Sequence, residues 1–284
     1  RHGQVGIVDT GGQVLEAGGL KVALLAFAIV EGALPRTGPG AARIDHLKVR
    51  RAVAETAAAG AVDAVIPMLH AGKEQVLFPS PGMQDLCREL VAAGAAAVIC
   101  HHPHVPQGIE VRDGRPIVYS LGNFLFDWSE REPETDSSFL LELELGESEP
   151  AGLAVHPLVK GRNAGAALLE GEGRAEYVAF LDEISAPLAD RRDFVQLWEE
   201  QCRGLMEAWY EPRMKRGADA TSADPELRLK SELTFMNLME NDEHGEVLKT
   251  ALLARATGSG APDPEARARL DALMTRLVGF AEKS

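Results

Sequence analysis

What this sequence has little of narrows its function first. No apolar run approaches the roughly 20 residues of a membrane-spanning helix; the longest, from Lys21 to Val30, is half that length and reads as a buried strand. Its three cysteines, Cys87, Cys100 and Cys202, are too few and too scattered for a disulfide framework or a four-thiolate zinc site. Free thiols lean towards a reducing, cytoplasmic compartment. Positive charge is scarce: 29 Lys and Arg face 43 Asp and Glu, a net charge of −14. That balance argues against a nucleic-acid grip, which needs a basic stripe, and against adsorption to an anionic membrane. Aromatics are only 5% of residues, so the core must be built mainly from Ala, Val and Leu. The opening Arg1-His2-Gly3-Gln4 shows neither an initiator Met nor a signal-peptide apolar stretch, so the sequence is expected to begin partway through a longer protein.

What is present is the pattern of an α/β protein with a helical extension. Val5–Val8 and Gly12–Leu15 read as short strands around a Gly-Gly turn, and Leu20–Ala28 as a buried strand. Residues 35–42 are loop; their glycines lack the Gly-Lys-Ser/Thr of a phosphate cradle. The spacing predicts a helix over Ile44–Ala59, with Leu47, Val49, Val53 and Thr56 near one face and Gly60 closing it. Val62–Leu69 (strand), Pro81–Ala93 (helix) and Ala95–Cys100 (strand) follow, an alternation that implies parallel strands and right-handed crossovers. Gly108–Val111 and Pro116–Leu121 flank Asp113-Gly114, a hairpin signal. Phe139–Leu145 alternates Leu and Glu as a half-exposed strand, with Ala154–Val159 as its expected partner. Helical spacing then covers Val178–Ser185, Arg192–Tyr210, Asp224–Glu240, Glu243–Thr257 and Pro264–Ala281. The expected division is a core over 1–165 and a helical region over 176–284.

Three segments carry chemistry. The strand over Val62–Leu69 runs into His70-Ala71-Gly72-Lys73-Glu74, and strand C-termini of parallel sheets open onto the ligand crevice. The strand over Ala95–Cys100 runs into His101-His102-Pro103-His104. In an extended segment His102 and His104 project to one side, with Pro103 fixing the backbone between them. Neutral imidazole nitrogen suits Zn, Mn or Fe, and packing three histidines together without such a role leaves polar groups to satisfy. His101 faces the other way. Third, Asn123 follows Gly122 at a strand end, where its amide would orient a substrate oxygen or a ligand, or else hold its own turn. The lone histidines His156 and His244, and Trp198, Trp209 and Tyr210, read as structural.

At these segments the sequence resembles the CapA family of poly-gamma-glutamate capsule biosynthesis proteins, a branch of the calcineurin-like metallophosphoesterase superfamily. The resemblance rests on His70/Gly72/Glu74, on Cys100-His101-His102-Pro103-His104 and on Tyr119-Ser120-Leu121-Gly122-Asn123-Phe124, in that order and at matching spacing. It implies an α/β sandwich of mixed sheets flanked by helices, with a divalent metal site of one or two ions (Mn, Zn or Fe) at the strand ends. His70, His102 and His104 carry over as ligands, with Glu74 as a supporting or catalytic acid and Asn123 as a substrate or supporting group; His101, facing away, is expected to support the ligands, handle protons or pack. Cys100 stands where the family usually has Gly, and either coordinates or packs. The family's early Asp, acidic or Asn motif and Asn-Asn-His motif have no match before His70. Either they lie in a preceding segment or this member holds a single ion; the first is expected. The implied activity is metal-assisted hydrolysis or transfer at a phosphoryl or acyl centre, on a small-molecule or polymeric substrate, glutamyl or phosphorylated. The rival expectation is a non-catalytic accessory protein that keeps the fold with a degraded site.

Overall fold

The computed structural model describes residues 12–29, 42–125, 133–146, 150–160, 165–217, 224–240, 242–257 and 262–281. The expected strand at Val5–Val8 and most of the 35–42 loop lie outside them. Strands β1 (Gly12–Ala17) and β2 (Leu20–Ala28) form an antiparallel hairpin. Its turn is Gly18-Gly19, with φ of 59° and 87°, two consecutive left-handed positions that glycine adopts without a Cβ penalty. The turn expected at Gly11-Gly12 is therefore displaced, and Gly12 pairs with Leu25 inside the ladder.

From β2 the chain alternates through α1 (His46–Ala58), β3 (Ala64–His70), α2 (Pro81–Ala92) and β4 (Val98–His101). β2, β3 and β4 are adjacent and parallel. Side chains start both helices: the Asp45 carboxylate accepts from Lys48 N, and the Ser80 hydroxyl accepts from Met83 N. Successive right-handed crossovers running the same way across a sheet put both helices on one face. Accordingly Arg50 of α1 pairs with Glu89 of α2 at 3.9 Å. Val49 and Val53 are the buried face of α1, while Leu47 is 75% exposed. Leu47 lies two residues from Val49, about 200° round the helix, so the expected face was drawn too wide.

The sheet closes with the hairpin β5 (Ile109–Arg112) and β6 (Arg115–Val118), giving the order β1-β2-β3-β4-β6-β5 with β6 parallel to β4. Asp113 and Gly114 both take positive φ, as a two-residue primed turn requires. A second, antiparallel sheet comprises β7 (Ser137–Leu145), β8 (Pro150–Lys160) and β9 (Ala166–Leu168). The helices that follow are α3 (Gly171–Ser185), α4 (Arg191–Leu205), α5 (Glu211–Gly217), α6 (Pro225–Glu240), α7 (Asp242–Thr257) and α8 (Pro264–Ala281). α3 begins well before the expected Val178.

Consecutive residues of the central strands, such as Val65-Ile66 and Val98-Ile99-Cys100, are buried on both faces. Tyr177, Phe180 and Ile184 of α3 and Leu270, Leu273 and Leu277 of α8 share one apolar cluster with these strands. The structure is thus a mixed α/β fold whose main sheet is flanked by helices. A separate small cluster joins Trp198, Cys202, Met206 and Tyr210 to Leu238, Val247 and Ala251.

The end of α3 presses on the chain just before β5. A Cβ on Gly108 would lie 2.7 Å from the Ile184 carbonyl oxygen and 2.9 Å from Ser185 Cα. Backbone atoms cannot step aside as a side chain does, so Gly108→Ala is expected to destabilise the fold by about 1–3 kcal/mol. A urea unfolding curve reads this, and an unchanged midpoint would mean that α3 does not hold this position in solution.

Candidate metal centre

The three sequence segments meet at the C-terminal rim of the main sheet. β3 and β4 lie in register with His70 beside His101, and the chain beyond each strand clings to the other. Ala71 N donates to the His101 carbonyl at 3.0 Å, and Gln75 N to the Pro103 carbonyl at 2.8 Å. Gly72 takes a φ of +119°, and a Cβ there would stand 3.1 Å from Pro103 Cγ. A side chain here would strain the loop and crowd the His-Pro-His segment, and the close approach delivers Glu74 beside the histidines.

The histidines converge, but not through the extended backbone expected for them. β4 ends at His101, and His102 and His104 take φ of 101° and 62°. Left-handed backbone at two non-glycine residues, one of them preceding a proline, costs on the order of 1–3 kcal/mol each and persists only where the surroundings enforce it. The rings of His70 and His102 lie 4.8 Å apart and those of His102 and His104 5.8 Å apart. His102 is 6% exposed, and its Nδ1 lies 3.2 Å from His70 Nε2. His104 Nε2 faces Glu74 Oε1 at 3.6 Å.

Among the described residues, the set whose ligand atoms all fall within 4.8 Å of one another is Glu74, His102 and His104. His70 touches this set through His102 and stands at the exposed rim of the strand end. The sequence reading gave Glu74 a proton-handling role; the structure brings its carboxylate among the donors. The available signal was a carboxylate four residues past His70 on the same loop.

Asn123 completes the arrangement. Gly122, with φ +75° and no room for a Cβ beside the Ser137 carbonyl oxygen, turns the chain out of β6 towards the site. The His104 Nδ1 lies 2.9 Å from Asn123 Oδ1. An amide oxygen only accepts, so Nδ1 donates the proton of this bond. A second group of this kind fixes the ring orientation of metal-binding histidines. The Asn123 Nδ2 is buried and finds no hydrogen-bond partner among the described residues; neither does His101 Nε2.

The electrostatics follow the geometry. Contact with His104, aided by Lys73 and His102, holds the Glu74 carboxyl down at about 2 against the cost of its partial burial. Partial burial, then the neighbouring His102, His101 and His104, push His70 below the usual imidazole range. Burial does the same to His101. The site thus favours an ionised carboxylate and keeps His70 and His101 neutral, the forms that accept a cation. Cys100 is not part of it: its sulfur lies 3.7 Å from that of Cys87 on α2, and both residues are fully buried. The open question over Cys100 resolves to packing.

Comparison with known proteins matches residues 10–128 to the family described as bacterial capsule synthesis protein PGA_cap. The chain is 37% identical over 147 residues to the capsule biosynthesis protein CapA of Bacillus anthracis, covering 49% of this chain and 35% of that protein. It is 33% identical over 145 residues to the PGA biosynthesis protein CapA of Bacillus subtilis (strain 168), covering 49% and 37%. The aligned stretch therefore spans little more than a third of these relatives. Among solved structures, the sulfate thiohydrolase SoxB of Thermus thermophilus superposes with a TM-score of 0.37 at 18% identity, over 64% of this chain and 29% of that one. Every candidate residue from His70 to Asn123 falls within the matched segment, and it is through that segment that the chain is similar to the bacterial capsule synthesis proteins.

Proposed function

We propose that this chain is a divalent-metal-binding hydrolase or transferase of capsule-polymer metabolism, acting at a phosphoryl or acyl centre. The observation that carries the reading is the convergence of Glu74, His102 and His104 within 4.8 Å, with the His104 ring held by Asn123. Two imidazole nitrogens and a carboxylate suit Mn, Zn or Fe. A bound ion would act as a Lewis acid on a substrate oxygen. His70, alongside His102, is a further donor or a neutral imidazole able to take up a proton at the rim. The buried, unpaired Nδ2 of Asn123 offers an N–H to a substrate oxyanion beside the site. The substrates this implies are glutamyl or phosphorylated small molecules or polymers. The core over 1–165 carries this chemistry, and the helices after 176 serve it.

A non-catalytic, metal-holding accessory role is the second reading. It is favoured by the single donor set among the described residues, because a lone set of three donors holds one ion rather than a pair. Metal analysis combined with a panel of phosphomonoesters, phosphodiesters and gamma-glutamyl amides separates the two. Hydrolysis that vanishes on chelation and returns with Mn2+ supports the enzyme. One bound ion with no turnover supports the accessory role, and a protein that takes up no ion removes both.

A further inference from the structure

The loop that presents Glu74 is held on its far side by residues well outside the family-matched segment. Leu77 and Phe78 are buried, and their backbone N–H groups donate to a single acceptor, Gln201 Oε1 of α4, at 3.0 and 3.4 Å. Gln201 Nε2 donates back to the Phe78 carbonyl at 3.2 Å. One amide side chain thus satisfies three backbone groups that water cannot reach. On the other side of the loop, the buried Gln107 donates to the Val76 carbonyl at 2.8 Å.

A second contact grips the same loop one helical step further on. α4 runs into a π-turn over Met206–Tyr210. The extra residue of a π-turn brings position i+8 to about where i+7 would lie on a regular helix, on the same face. Trp209, eight residues after Gln201, is thereby turned towards the loop. Its indole carries the Lys73 ammonium at 5.5 Å, the Arg213 guanidinium at 3.6 Å and the stacked His244 ring at 5.0 Å. Lys73 immediately precedes Glu74 and helps hold its carboxyl ionised.

We infer that Gln201 and Trp209 are positioning residues of the metal centre, fixing the 73–78 loop so that Glu74 stands in the donor set. The inference rests on the metal-binding reading of Glu74, His102 and His104. It assigns the helical region a part in the site, whereas the sequence alone reads Trp209 as packing and gives no signal for Gln201. A lone glutamine in an amphipathic helix carries no motif.

The test is calorimetric titration of Mn2+ into the full chain, well below the unfolding temperature of every variant. Gln201→Ala is expected to bind Mn2+ about 10-fold more weakly with the same stoichiometry, the cost of losing an outer support of a ligand. Gln201→Glu keeps the acceptor for Leu77 and Phe78 but sets a second carboxylate oxygen against the Phe78 carbonyl, and is expected to recover only part of that loss. Arg267→Ala breaks an α4–α8 ion pair, Arg267 to Glu200 at 2.7 Å, and leaves the Gln201 hydrogen bonds to the loop in place; it should lower stability and leave affinity at the parental value. Parental affinity in Gln201→Ala, or equal weakening in Arg267→Ala, overturns the positioning role while His102→Ala still reports on the site. A parent chain that takes up no Mn2+ overturns the site and the positioning role together.

Discussion

His102→Ala is expected to bind Mn2+ or Zn2+ more than about 100-fold more weakly than the parent, beyond the range that losing an outer support costs. His102 is the member of the cluster that meets every other: it lies 3.2 Å from His70 and shares the donor set with Glu74 and His104. It is also the most deeply placed of the donors, at 6% exposure. Loss of an ion alone would not separate a missing ligand from a disturbed loop, but the backbone supplies a control. With φ at 101°, position 102 is strained for alanine as for histidine, whereas glycine takes that conformation freely. His102→Gly is therefore expected to unfold at or above the temperature of the metal-free parent and to bind the ion as weakly as His102→Ala. Both variants should be monitored by metal analysis and by thermal unfolding in the presence of a chelator. Undiminished metal content in the alanine protein would remove His102 from the ligands, and with it the central part of the site.

The parts of this site that could be read from the sequence are those set by local pattern. A β-branched or apolar run ending in His70, and another ending in the His101–His104 segment, announce strand ends because strand length and side-chain alternation are local properties. The α8 start at Pro264 was equally legible, with Asp263 accepting from Ala266 N and proline tolerated in the first turn. What could not be read depends on contacts distant in sequence. The left-handed backbone at His102 and His104 is imposed by the loop after β3, whose Gln75 N reaches Pro103; an extended His-Pro-His was the correct default for an isolated segment. Glu74 is brought beside His102 and His104 through the same loop closure. The short β9 is an exposed Ala-Ala-Leu with no alternation to reveal it, and the early start of α3 at Gly171 follows a residue, Glu170, that provides no side-chain cap.

The second large effect is expected in the packing of α3 on α8. Phe180 is fully buried, with ring centroids 6.1 Å from Tyr177 and 5.6 Å from Phe280, and it takes the Arg276 guanidinium at 5.6 Å. Truncating such a ring to alanine costs about 3–5 kcal/mol, a large part of the roughly 5–15 kcal/mol that holds a domain folded. Phe180→Ala should therefore unfold on the order of 10 °C lower than the parent. The loss also gives a way to weigh the metal site by stability rather than by activity. An ion that binds the folded chain and not the unfolded one stabilises it by about 2.7 kcal/mol at 100 times its dissociation constant, enough to restore more than half of the deficit. Mn2+ at that concentration is expected to raise the unfolding temperature of Phe180→Ala and to leave Phe180→Ala/His102→Ala where it was. Equal rescue of both proteins would place the stabilising ion elsewhere on the chain. A Phe180→Ala protein as stable as its parent would mean that α3 and α8 do not close over the sheet as described.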